Sequence, residues 1–84
     1  MNTRLTDQQI ARAEDILMEE LDVPRDQLTP EARLTEDLGA DSLTKVQIVM
    51  KLEDRFNIVF SDEVIEDVVT VEKVYAVLAD QLGH

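Results

Sequence analysis

The strongest constraint on this chain is a helical apolar repeat that starts and stops on recognisable end signals. Thr6 and Gln9 have the spacing of a capping box, and Leu5 can staple onto Ile10 across it. Ile10, Ala13, Leu17 and Leu21 then recur at helical spacing, with Ile16 widening the stripe. Pro24 biases Val23 away from helix, so the first helix is expected to end near Leu21 or Asp22. A second helix is expected from Asp41 or Ser42 to about Arg55. Ser61 is expected to cap a short third helix through Val68, with Asp62 and Glu63 suited to its positive end. Thr70 is expected to cap the last helix. Its buried face would be Val71, Val74, Tyr75, Leu78 and Leu82, its staple Val69 on Val74, and its terminator Gly83. A strand reading of "NIVF" and "DVVTV" competes, because the stretch from Phe56 to Val77 is rich in β-branched residues. Caps and 3.6-residue spacing agree with each other, which favours an all-α chain.

Residues 22–41 show no sustained period, and a loop this long needs packing of its own. Leu28, Leu34 and Leu38 can supply it by tucking into the core. Gly39 permits a backbone angle that other residues avoid, so a sharp turn is expected just before Asp41. With 84 residues and no cysteine, the chain is expected to be one domain (1–84, core about 6–82) held by packing rather than by disulfides.

Projection of the second helix gives two apolar stripes. Ile48, Val49, Leu52 and Phe56 form a broad one, which a core explains. Leu43, Val46 and Met50 form a narrower one, either buried in a central helix or exposed as a partner surface beside Ser42. Glu53 separates the stripes on one side, and Thr44, Gln47, Lys51, Asp54 and Arg55 fill the polar face.

The formal charge is −11, and residues 57–84 carry six acids against one base. That balance excludes a phosphate-binding basic patch and argues against nucleic acid and anionic membranes as partners. It serves solubility, or steers the chain toward basic partner proteins. "MNTRLTDQQ" lacks the apolar core of a signal peptide, and no run reaches membrane-spanning length, so a soluble cytoplasmic protein is expected. Enzyme chemistry finds no support. Ser42 is not in a G-x-S-x-G elbow and the lone histidine is His84, so a Ser-His-acid triad has no base. Gly39 and Gly83 are the only glycines, too few for a phosphate loop, and no carboxylate series matches a calcium loop, so no metal site is expected.

The informative stretch is "EDLGADSL", residues 36–43. A tight turn at Gly39 delivers the chain into a helix N-terminus that Asp41 can cap through its carboxylate. Ser42 then falls at the first helical position. It either helps to cap the helix or carries a modification, and a helix N-terminus accommodates an attached phosphate well.

The stretch resembles the phosphopantetheine attachment sequence of acyl carrier proteins. The resemblance continues through "KVQIVMKLEDRF", the short helix beginning "SDE" and the helix after "TV", covering roughly residues 6–82. It implies a small four-helix bundle, three longer helices and a short third one, with a long first loop. It implies that a phosphopantetheinyl transferase moves 4′-phosphopantetheine from coenzyme A onto Ser42, with Asp41 serving recognition as well as the cap. The arm's thiol would carry acyl groups for ketosynthase, acyltransferase, reductase or dehydratase partners of a fatty-acid, lipid or polyketide pathway. Those partners would read Leu43, Val46, Met50, Glu53 and Asp54. Growing acyl chains would slip between the helices of a monomer. Such a protein is a carrier, not an enzyme.

Some positions depart from the common fatty-acid type. Thr44 and Gln47 stand where acids are frequent, and Lys45, Lys51 and Arg55 add positive charge to the second helix. Val59, Val64 and the larger Ile65 alter the third-helix region, and Ile65 is expected to narrow an acyl cavity. These departures suggest a stand-alone carrier specialised for its own pathway. Two alternatives are an aminoacyl or peptidyl carrier and, in a different class, an acidic binding or inhibitor protein. The latter gives no reason for the sequence around Ser42.

Overall fold

Helix α1 (Asp7–Leu21) begins where the capping box places it. The Gln9 N–H donates to Thr6 Oγ1 (3.1 Å), and the Thr6 N–H donates to Gln9 Oε1 (2.8 Å). It ends at Asp22, whose left-handed φ of 56° turns the chain out. Val23 N–H reaches back to the Met18 carbonyl (3.3 Å), and Pro24 follows, where it cannot prolong the helix. Helix α2 (Ser42–Phe56) ends the same way, with Asn57 at φ 56° and the Ile58 N–H on the Glu53 carbonyl (3.1 Å). Aspartate and asparagine are the non-glycine residues that visit this region most readily. Helices α3 (Glu63–Asp67) and α4 (Val71–Leu82) complete the bundle. Thr70 caps α4 by accepting the Lys73 N–H (3.1 Å). This is a computed structural model. It describes residues 5–83, so the first four residues of the N-terminal stretch, and His84, lie outside the described residues.

Ala13, Ile16 and Leu17 of α1, Ile48, Val49 and Leu52 of α2, and Val71, Val74 and Leu78 of α4 meet in one core. The loop joins them through Leu28, Leu34 and Leu38, with Leu34 wholly buried. Burial on that scale stabilises the fold by about 1.5–3 kcal/mol per large side chain, so the loop is a structural element in its own right. Lys51 of α2 bridges to Glu19 (2.9 Å) and Glu20 (3.0 Å) of α1.

Two expectations need correction. Ser61 does not cap the third helix with its side chain. The chain makes a backbone turn there, with the Val64 N–H on the Ser61 carbonyl, and α3 starts two residues later, uncapped. Val69 is 46% exposed and so is no buried staple for Val74; its carbonyl accepts the Leu34 N–H of the loop. Gly83 ends α4 as expected, in a right-handed conformation (φ −81°) with its N–H on the Ala79 carbonyl. The competing strand reading is not realised, and the preference for helices holds: among the described residues the only β-type pairing is a single bridge between Arg33 and Thr70. The loop also contains a 3₁₀ turn, Arg25–Gln27, that no sequence period announces. Arg25 from that turn pairs with Glu14 (3.3 Å) and Asp15 (3.5 Å) of α1. Among the described residues no helix is long and apolar enough to cross a membrane.

Candidate functional site

The start of α2 is aimed by the loop before it. Leu34 N–H donates to the Val69 carbonyl (2.9 Å), Val71 N–H to Ala32 (3.0 Å) and Glu72 N–H to Pro30 (3.0 Å). These bonds fasten residues 30–34 to the start of α4. The chain then winds tightly: Leu38 N–H returns to the Arg33 carbonyl (3.1 Å), Gly39 N–H to Thr35 (3.2 Å) and Ala40 N–H to Leu34 (2.7 Å). Asp37 Oδ2 accepts the Arg33 N–H (2.9 Å), which is the main reason its carboxyl lies below the ordinary range. Gly39 takes φ 78°, the left-handed angle expected of it, and Ala40 is buried beneath the turn.

Asp41 is the N-cap of α2 and Ser42 its first helical residue. Asp41 Oδ1 accepts the Thr44 N–H (2.8 Å), and that bond above all holds its carboxyl below the usual carboxylate value. Capping therefore falls to Asp41. The Ser42 side chain is exposed and, among the described residues, makes no hydrogen bond. A solvent-facing hydroxyl at a helix N-terminus suits covalent attachment of a phosphate-linked group, since free N–H groups and the helix dipole favour negative charge there.

The narrow stripe is exposed rather than buried: Leu43 is 65% and Met50 59% exposed, with Val46 partly covered between them. Asp54 is exposed and, with Met50, lines a cavity of about 340 Å³ between α1 and α2. Glu53 differs, because its Oε2 accepts the Phe60 N–H (2.7 Å) and so secures the chain entering α3. The basic departures lie off the exposed stripe. Lys51 is matched by two α1 carboxylates, and Lys45 lies partly buried on the opposite flank. Two further valines are exposed, Val59 (79%) before α3 and Val69 beside the loop. The only sequence signal for them was a β-branched run that resembled strand. Ile65 packs partly buried against the core from α3.

The described residues thus form a small four-helix bundle whose second helix opens on an Asp41 cap and a solvent-facing Ser42. The chain matches the family described as "Phosphopantetheine attachment site" over residues 11–78. It is also 40% identical to an "Acyl carrier protein" of the organism Cyanidioschyzon merolae (strain NIES-3377 / 10D) over 70 residues, covering 82% of this chain and 77% of that one. The chain belongs to the acyl carrier protein family. Its cofactor is covalent 4′-phosphopantetheine, and its role is that of a carrier.

Proposed function

We propose that Ser42 is the attachment residue and that Leu43, Val46 and Met50, with Asp54 beside them, form the surface on which partner enzymes dock. On this reading residues 1–84 are one monomeric, cytoplasmic carrier domain that takes its arm from a phosphopantetheinyl transferase and serves acyl-handling enzymes of fatty-acid or related biosynthesis. When bound, the arm supplies a terminal thiol on which acyl groups ride as thioesters, a function this cysteine-free chain cannot provide. Asp41 holds the first turn of α2 in place and leaves the Ser42 hydroxyl unengaged. The loop's bonds to Val69 and to the start of α4 keep that turn at a fixed height on the bundle. Leu43 and Met50 offer an apolar centre, with charge around it to set on-rate and register.

The observation that carries this reading is the division of labour between Asp41, which caps, and Ser42, which does not. Incubating the protein with coenzyme A and a promiscuous phosphopantetheinyl transferase, then weighing it, is the test. Wild type should gain one arm and Ser42→Ala none. A folded wild type that gains nothing, or a Ser42→Ala variant that gains as much, contradicts it.

A further inference from the structure

Lys45 is out of place on α2. At about 100° per residue it falls between Leu52 and Phe56 and beside Val49, in the middle of the stripe the helix buries. It is accordingly only partly exposed, whereas Lys51 and Arg55 on the same helix are exposed. No ion pair among the described residues uses it, although Arg25, Arg33 and Lys51 each hold two carboxylates. Asp41 stands four residues earlier, a spacing that suits a helical ion pair, but its carboxylate is taken by the Thr44 N–H. The acids of α3, Glu63, Glu66 and Asp67, are exposed, and none pairs with Lys45.

A lysine stem can lie along apolar surface while its ammonium reaches for the edge. At the first turn of α2 the nearest edge is Ser42, three residues back, with Cβ atoms about 5–6 Å apart. Leu43 and Met50 lie on the other flank of that serine. We propose that Lys45 pairs with the phosphodiester that joins the arm to Ser42. The pair anchors the root of the arm on the core-facing flank of α2 and leaves the Leu43–Met50 surface clear for partners. This rests on Ser42 being the attachment residue.

The chain has three lysines, Lys45, Lys51 and Lys73, so carbon-13 labelling at lysine Cε gives three resonances, assignable with Lys51→Arg and Lys73→Arg variants. Each lysine is titrated in the unloaded protein and in protein shown by mass to carry the arm. A unit charge at about 5 Å in a water-like dielectric raises a lysine's midpoint by roughly 0.5 pH unit. Lys45 is expected to rise by about that much, and Lys51 and Lys73 by less than a third of it. A Lys45 midpoint that does not move on loading, or moves no more than that of Lys51, overturns the proposal while leaving the attachment reading intact. A protein that gains no mass, or gains it on another residue, overturns the attachment reading and this proposal with it.

Discussion

Replacing Gly39 by alanine isolates what the turn before the site demands of the backbone. Gly39 has φ 78°, and a Cβ added there meets nothing within 4 Å. Steric crowding therefore contributes nothing, and the cost is conformational alone. Holding an L-residue in the left-handed region costs roughly 1–2 kcal/mol. Alanine returns about 0.4–1 kcal/mol by narrowing the unfolded ensemble. The net loss for Gly39→Ala is then about 1 kcal/mol, a drop in Tm of roughly 4–8 °C for a domain of this size. Gly39→Asn, whose side chain tolerates this conformation, is expected to lose less than half as much. Urea unfolding followed by far-ultraviolet circular dichroism measures both, with an unchanged m-value because the surface exposed on unfolding is the same. An alanine variant as stable as wild type refutes the reasoning. So does an asparagine variant that loses as much as alanine, since that points to crowding instead of φ.

Three further outcomes follow from the same geometry. Folding lowers the carboxyl of Asp41 below its ordinary 3.8, so its contribution is complete above the unfolded value and is lost as pH falls through the lower folded one. Asparagine caps about as well without titrating. The stability difference between wild type and Asp41→Asn should therefore hold steady above about pH 4 and shift against wild type below it; a shift in wild type's favour on acidification contradicts this. The Tyr75 hydroxyl is buried without a partner among the described residues, and burial first of all raises its pKa to about 12. Tyr75→Phe should be neutral or stabilising by up to about 1 kcal/mol in urea unfolding, and a loss larger than that shows the hydroxyl to be bonded. Leu43→Ala and Met50→Ala, at exposed positions, should each leave stability within about 0.5 kcal/mol. Combined, they should lower kcat/KM for transferase loading roughly tenfold, and an unchanged value removes the stripe from the docking surface.

Legibility in the sequence followed locality. The Thr6–Gln9 box, the Thr70 cap, the stop at Asp22 and the Gly39 turn are each encoded within a few residues, and each forms as read. Leu28, Leu34 and Leu38 were legible as core because three leucines in an otherwise polar loop have few other uses. Bonds between distant backbone groups leave no such trace. Nothing in the residue types announces that Leu34 meets Val69 or that Val71 meets Ala32, yet these bonds set where Ser42 stands. The Ser61 cap failed because a turn of backbone carbonyls took the place of a side-chain oxygen. At the site, the Asp41 cap and the position of Ser42 at the first helical residue were legible, since capping is local. The bond from the Phe60 N–H to Glu53 spans a chain reversal that sequence spacing does not report. Lys45 and Lys51 read alike as added positive charge on the second helix, yet α1 matches Lys51 and Lys45 falls partly buried among apolar positions.

The central claim is that one hydroxyl in this chain carries the arm. Protein isolated from its native cell and cut at Arg33 and Lys45 yields the peptide Leu34–Lys45, which contains Ser42 together with Thr35 and Thr44. Fragmentation of that peptide in a mass spectrometer locates the added group residue by residue. The account predicts the phosphopantetheine mass on Ser42, and on neither threonine. An arm found on another residue, or fully unmodified peptide from actively growing cells, would contradict it.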